Sequence, residues 1–214
     1  MSATKMNGAE SLVRTLIDGG IEVCFTNPGT SEMHFCAALD RVPGLRCVLG
    51  LFEGVVTGAA DGYGRMRDFP STTLLHTGPG LGNGLANLHN ARKARSPLVN
   101  IVGEHATYHI RHDAPLTSDI EGIAAPVSDW VKTSRNAEEV SRDGAQAIAE
   151  ARKTPGRIAT LILPADTAWN MASSGATVPS VPNPERVNSN VLDECVRVLR
   201  SGDPVMLLLG NKGL

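Results

Sequence analysis

One acidic residue, Glu53, stands where the sequence changes from a strand-like to a helix-like pattern. It lies in the segment LGLFEGVVTGAADGYGR, residues 49–65, and its neighbours there are apolar or small. A lone carboxylate in such surroundings is costly to ionise, so we expect Glu53 to hold or share a proton near neutral pH. That property suits a group that handles a proton on a bound ring. The simpler alternative is a carboxylate that accepts backbone N–H groups at a helix start.

Three other polar or glycine-rich segments also follow predicted strands. They are Asn27-Pro28-Gly29-Thr30, the stretch from His76 to Gly80, and Gly103-Glu104-His105. In an open α/β sheet, ligands gather at the carboxyl ends of the strands. We therefore expect these segments to meet Glu53 at one edge of the sheet, and this convergence favours a functional role for Glu53.

The glycine-rich stretch HTGPGLGNG permits a second interpretation. A glycine-rich turn between a strand and a helix can hold the pyrophosphate of a dinucleotide, and Glu104 follows at the distance of a ribose-binding acid. The glycines do not fit G-x-G-x-x-G, because Asn83 and Leu85 occupy the third glycine position of the two frames. A nicotinamide site therefore stays the lesser alternative.

Three histidines, His105, His109 and His112, follow helix-like spacing and adjoin Asp113. Such a cluster can bind a metal, but its segment contains no cysteine and no pattern of supporting hydrogen-bond partners. We expect exposed loop histidines and no metal site in this chain. The sequence also lacks the G-x-S-x-G of nucleophile-elbow hydrolases and the phosphate-binding G-x-x-x-x-G-K-[ST].

The elements that must position these residues alternate between helix and strand. Apolar spacing predicts helices over 9–17, 30–39, 120–125 and 137–153, and a further helix that begins at residue 53. It also predicts a glycine-rich loop over 77–80 that opens a helix running to residue 94. It predicts strands over 21–25, 45–49, 72–76, 98–102, 130–133 and 157–163, with a long loop over 104–119. This alternation predicts an α/β fold with a doubly wound parallel sheet.

A change of composition divides the chain. Residues 173–190 are rich in proline and serine, which is typical of a linker. A predicted helix over 191–199 and a predicted buried strand over 204–209, ending in Gly210, are too little for a domain. We therefore predict a first domain over 1–172, a linker over 173–190, and the start of a truncated second α/β domain over 191–214.

The composition excludes some classes of protein. The net charge is -2, so we expect no broad attraction to nucleic acid or to a membrane surface. No signal peptide and no apolar run of about 18 residues is present, which predicts a soluble, cytoplasmic protein. The four cysteines, Cys24, Cys36, Cys47 and Cys195, form no C-x-x-C pair, and we expect them to be small apolar residues in a reducing compartment.

Three segments in order carry a family resemblance: FTNPGT, LFEGVVTGAADGYGR and LLHTGPGLGNGLANLHNARKARSPLVNIVGE. They resemble the N-terminal pyrimidine-binding domain of thiamine diphosphate enzymes, in the branch of acetolactate synthase and benzoylformate decarboxylase. The resemblance covers residues 6–170, and the tail from residue 187 resembles the start of the family's middle domain. It implies thiamine diphosphate as cofactor, a 2-oxo acid as substrate, and C–C bond cleavage or carboligation through the ylid of the cofactor.

The resemblance also implies which residues act. Glu53 would bond the ring nitrogen of the cofactor's aminopyrimidine, and His76 would transfer protons as the second catalytic residue. The alternative for His76 is a strand-end histidine with a structural hydrogen bond. The cofactor-binding residues that the resemblance implies are Asn27, Pro28, Gly29, Thr30, Glu53, Gly80 and Asn83.

One feature of the family is absent from the sequence. The family binds the diphosphate and Mg²⁺ through a C-terminal domain with a GDG…N motif, and this chain contains no GDG. We therefore expect those ligands to come from a domain absent here, and this chain alone to be incomplete and inactive. The resemblance implies a homodimer or homotetramer and leaves FAD binding by the middle domain open. A non-catalytic structural or regulatory domain of the same fold is the alternative function.

Overall fold

The structure, a computed structural model, describes residues 6–184 and 186–208 of the chain. The chain divides into two compact units, Met1–Val181 and Pro182–Leu214. Among the described residues, no helix is both long and apolar enough to cross a membrane.

The first unit is built around a parallel sheet of six strands in the order β3-β2-β4-β5-β7-β6. These strands are β2 (Val23–Asn27), β3 (Arg46–Leu49), β4 (Ser71–Leu75), β5 (Leu98–Glu104), β6 (Trp130–Thr133) and β7 (Ile158–Pro164). Two short strands, β1 (Met6–Asn7) and β8 (Met171–Ala172), pair antiparallel and join the two ends of this unit.

Helices cover both faces of the large sheet. They are α1 (Gly8–Asp18), α2 (Met33–Arg41), α3 (Glu53–Arg67), α4 (Thr77–Lys93), α5 (Ile120–Ala124), α6 (Ala137–Arg152) and α7 (Ala165–Trp169). One apolar core lies between the sheet and α1, α2, α6 and α7, and the other lies between the sheet and α3, α4 and α5. The predicted doubly wound α/β fold is therefore confirmed.

Local sequence signals explain where several helices begin. The side chain of Asn7 accepts a hydrogen bond from the backbone N–H of Glu10 at 2.8 Å, and the Glu10 carboxylate accepts one from the N–H of Asn7. This reciprocal cap satisfies N–H groups that the first turn of α1 leaves without partners. At α6 the cap is one-way: the side chain of Asn136 accepts the backbone N–H of Glu139 at 3.0 Å.

The direction of winding changes between β2 and β4. The chain leaves β2 for α2 on one face of the sheet, whereas it leaves β4 for α4 on the other face. Neighbouring strands whose following helices lie on opposite faces leave a crevice at their carboxyl ends, which is where open α/β sheets bind ligands. The residues after β2 and β4 therefore border the expected ligand crevice.

The structure moves several predicted boundaries. The strand predicted over 21–25 occupies Val23–Asn27 instead. The helix predicted over 30–39 begins as a 3-10 turn over Thr30–Glu32, and α2 starts at Met33 and ends at Arg41. The predicted strand over 130–133 and the predicted short helix near residue 120 are confirmed.

The predicted glycine-rich loop at residues 77–80 is wrong. These residues form the first turn of α4, which begins at Thr77 directly after His76. Pro79 fits there because the first turn of a helix does not use its N–H groups internally. Gly78 and Gly80 allow this turn to pack closely on its neighbours, because an added Cβ would meet Ser118 and Glu53, respectively.

The prediction that the cysteines are small core residues is confirmed only for Cys24, which is fully buried in β2. Cys36 is half-buried, and Cys47 and Cys195 are exposed. Cys47 is exposed because β3 is an edge strand, so only β2 pairs with it. None of the four forms a disulfide.

In the second unit, α8 (Ser189–Leu199) begins after the capping residue Asn188, whose side chain accepts the N–H of Asn190 at 2.9 Å. The predicted strand over 204–209 is not formed over 204–208, where the residues are exposed and have no regular structure. Leu209 and Gly210 lie outside the described residues. A strand needs a partner strand for its backbone groups, and the described part of this unit contains none.

Candidate active site

The carboxyl ends of β2, β4 and β5 bring three of the predicted segments together. Gly29 follows β2, His76 follows β4, and Gly103 lies near the end of β5. A Cβ added to Gly29 would lie 2.4 Å from Nδ1 of His76, and a Cβ added to Gly103 would lie 1.6 Å from Oε1 of Glu32. The predicted convergence at this edge therefore extends to Glu32, which was not among the predicted site residues.

Glu53 is the first residue of α3 and is only 8% exposed. Its Oε2 accepts a hydrogen bond from Nδ2 of Asn83, on α4, at 3.0 Å. The amide of Asn83 therefore orients the carboxylate.

The contact between Glu53 and Asn83 depends on the close packing of α3 against α4. The hydroxyl of Thr57, one turn after Glu53, lies 3.1 Å from the carbonyl oxygen of Gly84. Nδ2 of Asn87 donates to the carbonyl oxygen of Gly54 at 2.6 Å. These bonds fix the position of α3 along α4, so that the side chain of Asn83 lies within hydrogen-bond distance of Glu53.

Gly80 lies beside the other oxygen of Glu53. A Cβ added to Gly80 would lie 3.1 Å from Oε1 of Glu53 and 3.4 Å from Cβ of His76. A side chain at position 80 would therefore crowd both Glu53 and His76. Oε1 makes no hydrogen bond to another described residue, so this oxygen can accept one from a ligand.

His76 lies between β4 and α4, and 22% of its side chain is exposed. Its Nδ1 lies 2.8 Å from Oε2 of Glu32, which is only 2% exposed. The same oxygen accepts the backbone N–H of Gly29 at 2.7 Å. Burial raises the pKa of the Glu32 carboxyl, while the N–H of Gly29 and the neighbouring His76 act in the opposite direction.

The backbone next to His76 is strained. Thr77 has a φ of 49°, a left-handed conformation that is unfavourable for a β-branched residue, and it is fully buried. Strain of this kind costs about 1–3 kcal/mol and persists where the surrounding structure holds it. At this site it accompanies the abrupt change from β4 to α4 that places His76 at the crevice.

Asn27, Pro28 and Thr30 lie around the same strand end, with Asn27 as the last residue of β2 and Thr30 as the first of the 3-10 turn. Their predicted contact with a cofactor stays a prediction. The local signal of Glu32 is the order Gly29-Thr30-Ser31-Glu32, which by itself indicates only the start of a helix.

Glu104 and the three loop histidines form a separate group. The Glu104 carboxylate accepts from the backbone N–H of His105 at 2.6 Å and lies 2.9 Å from its Nδ1. The rings of His105, His109 and His112 follow one another at centroid distances of 5.9 and 5.5 Å. No group of three His, Cys, Asp or Glu residues in the described ranges is arranged to hold a metal ion.

The nicotinamide alternative finds no support in these contacts. Its glycine-rich turn is the first turn of α4, and the Glu104 carboxylate, its proposed ribose-binding acid, bonds to the adjacent histidine.

Comparison with known proteins identifies the family that these features match. Residues 6–123 match the family model described as thiamine pyrophosphate enzyme, N-terminal TPP binding domain. The chain is 56% identical over 207 residues to the protein named "Putative acetolactate synthase large subunit IlvX" of Mycobacterium tuberculosis strain H37Rv. It is 34% identical over 157 residues to the benzoylformate decarboxylase of Pseudomonas aeruginosa.

These matches cover most of this chain but a smaller part of each relative. They span 96% of this chain and 39% of the mycobacterial protein, and 73% of this chain and 29% of the Pseudomonas decarboxylase. Among solved structures, the thiamine diphosphate-dependent 4-hydroxybenzoylformate decarboxylase of Rhodococcus jostii RHA1 superimposes with a TM-score of 0.82 at 25% identity. That match covers 92% of this chain and 38% of the decarboxylase.

Proposed function

Since the chain belongs to the thiamine pyrophosphate enzymes and contains their N-terminal TPP binding domain, we propose that it holds the aminopyrimidine of thiamine diphosphate against Glu53. We propose further that the assembled enzyme acts on a 2-oxo acid and cleaves or forms a C–C bond next to its carbonyl group. The single observation that carries this proposal is the position of the Glu53 carboxylate. It is buried at a helix start, where one oxygen accepts a hydrogen bond from Asn83 and the other lies beside Gly80.

The surroundings of Glu53 fit the pyrimidine ring. Nδ2 of Asn83 donates to Oε2 and so leaves Oε1 to meet a ring nitrogen. The absence of a side chain at Gly80 gives a flat ring access to that oxygen. When bound, thiamine diphosphate supplies an electron sink for the carbanion formed on a 2-oxo acid carbon.

The role of Glu53 in this proposal is to meet a ring nitrogen through Oε1 and to move a proton at that atom. Nδ2 of Asn83 occupies Oε2 and so leaves Oε1, beside Gly80, as the oxygen that faces the ring. Glu53 would therefore exchange a proton with a ring nitrogen without reorganising its own surroundings.

His76 supports proton transfer as a second part of the function. Its imidazole is partly exposed at the crevice, while its Nδ1 is engaged by a buried carboxylate 2.8 Å away. The outer nitrogen, Nε2, is then the atom that gives or takes a proton at a substrate carbonyl. This arrangement favours chemistry that ends in protonation, as in a decarboxylase.

The remaining parts of the enzyme belong to the same proposal. Ligands for the diphosphate and Mg²⁺ would come from another domain, and the site would be completed in a homodimer or homotetramer. The chain spans about two fifths of the length of the mycobacterial relative that it matches, so these parts are proposed for the assembled enzyme.

The test is the exchange of the C2 proton of thiamine diphosphate for deuterium by the assembled enzyme that contains this chain. Glu53→Gln is expected to slow this exchange by at least about 100-fold, because the amide cannot shuttle the proton. The matched control is Glu139→Gln, which changes a carboxylate on α6 outside the site. Unchanged exchange in Glu53→Gln would contradict the proposal and favour a non-catalytic domain of the same fold.

A further inference from the structure

The buried carboxylate behind His76 belongs to Glu32. Glu32 is the last residue of the 3-10 turn that follows β2, and it is 2% exposed. Its Oε2 receives two partners, the N–H of Gly29 at 2.7 Å and Nδ1 of His76 at 2.8 Å. Its Oε1 is also buried, and no described residue gives it a hydrogen bond.

A half-satisfied buried carboxylate is expensive to maintain. Removal of two charges from water is repaid only where the geometry is good and the remaining lone pairs are satisfied, and here one oxygen has no partner. Burial accordingly raises the pKa of the Glu32 carboxyl. Buried carboxylates with a perturbed pKa cluster at functional sites.

Two backbone positions make room for the pair. A Cβ at Gly29 would lie 2.4 Å from Nδ1 of His76, and a Cβ at Gly103 would lie 1.6 Å from Oε1 of Glu32 and 2.4 Å from its Cδ. Any side chain at these positions would displace the imidazole or the carboxylate. The contact between Glu32 and His76 therefore requires glycine at both positions, after β2 and in β5.

A capping role alone does not account for these features. In α1, Glu10 also accepts the N–H of the residue three positions earlier, Asn7. The Glu10 carboxylate pairs with Arg41 at 3.1 Å on the surface. A glutamate can thus cap a helix start at the surface, whereas Glu32 is buried and its capping oxygen is directed at His76.

We propose that Glu32 is the positioning residue of His76. Its Oε2 accepts the hydrogen on Nδ1 and so keeps His76 in the Nδ1–H tautomer, with Nε2 unprotonated and available at the crevice. The proposal rests on the proposed function only in assigning proton transfer to His76. In the imidazole of a free histidine the proton prefers Nε2, so a fixed Nδ1–H tautomer is a property that Glu32 must supply.

The tautomer can be measured in the 214-residue chain without cofactor. Two-bond ¹H–¹⁵N correlation spectra of ¹⁵N-histidine-labelled protein distinguish a protonated Nδ1 from a protonated Nε2. The wild-type chain is expected to show the Nδ1–H form at His76. Glu32→Leu is expected to convert it to the Nε2–H form, whereas Glu32→Gln, which keeps a carbonyl acceptor, is expected to retain Nδ1–H.

Glu10→Leu is the matched control, since it removes a capping glutamate from α1 and should leave the His76 signals unchanged. A wild-type spectrum with Nε2 protonated would overturn the proposal even if Glu32→Leu fails to fold. A Glu32→Gln spectrum that has lost the Nδ1–H form would also overturn it.

Turnover in the assembled enzyme separates this inference from the proposed function. Glu32→Leu is expected to lower kcat about 100-fold while C2 proton exchange continues, because the contribution of one acid–base group lies in that range. Equal turnover in Glu32→Leu and wild type would overturn the positioning role and leave the role of Glu53 intact. Loss of C2 exchange in Glu53→Gln bears on the proposed function alone.

Discussion

Gly103→Ala is expected to separate Glu32 from His76 and so to destabilise the first unit. The new Cβ would lie 1.6 Å from Oε1, 2.4 Å from Cδ and 2.8 Å from Cγ of Glu32. The carboxylate must therefore move by about 1.8 Å to reach an ordinary contact distance. A shift of that size cannot preserve hydrogen bonds of 2.7 and 2.8 Å to Gly29 and His76.

The magnitude follows from the bonds that are lost. A hydrogen bond to a charged group contributes about 1.5–3 kcal/mol, so the loss of two would cost about 3–6 kcal/mol. Water that reaches the displaced carboxylate through the crevice would form new hydrogen bonds and offset part of this cost. We therefore expect the free energy of unfolding to fall by about 3 kcal/mol. For a chain of this length that loss lowers Tm by about 10 °C.

The assay is denaturant unfolding of the 214-residue chain, together with the tautomer spectrum of His76. The matched control is Gly62→Ala in the interior of α3, where an added Cβ meets nothing within 4 Å. That substitution should stabilise the chain by about 0.5–1 kcal/mol, since alanine loses less backbone entropy than glycine in a helix. If Gly103→Ala costs less than about 1 kcal/mol and leaves His76 in the Nδ1–H form, the reasoning from the close contact is refuted.

Three further predictions concern other groups. Asn83→Ala removes the hydrogen bond to Oε2 of Glu53 and is expected to slow C2 proton exchange in the assembled enzyme about 10-fold; an unchanged rate would mean that the amide does not orient the carboxylate. Burial raises the pKa of Glu32 in the folded state. Between the ordinary pKa of a carboxyl group and this raised pKa, the folded chain therefore binds more protons than the unfolded chain. The free energy of unfolding consequently falls as pH rises through this range. In Glu32→Gln the free energy of unfolding should lack this decline, and parallel profiles of variant and wild type against pH would contradict the expectation. A thiol reagent should label the exposed Cys47 in the native chain and the buried Cys24 only after unfolding, and labelling of Cys24 in the native state would show that β2 opens locally.

The sequence by itself determined the class of fold and the position of Glu53. Alternating periodicities of helix and strand are local properties, and they predicted the parallel sheet because each strand is followed by a crossover helix. The prediction of Glu53 at a strand-to-helix junction depended on its immediate neighbours alone. The order of three motifs added the family, which the match over residues 6–123 confirmed.

Local patterns were less informative where a residue's partner decides its role. The glycine-rich stretch after His76 was predicted to be a loop, although glycines in a first helical turn give the same local signal. Cys47 has the neighbours of a core residue, but it lies on an edge strand and is exposed. The strand predicted over 204–209 has the apolar composition of a strand, and its described part, 204–208, lacks a partner among the described residues.

Only the tertiary structure decided the two contacts on which the site depends. Glu53 meets Asn83 across 30 residues, and Glu32 meets His76 across 44 residues. Their distances depend on the strand order, which puts β4 beside β2, and on the packing of α3 against α4. Periodicity along a chain encodes which face of an element is buried, but it carries no information on which elements become neighbours. Glu32 therefore has the local pattern of a helix start in the sequence and becomes the partner of His76 only in the folded chain.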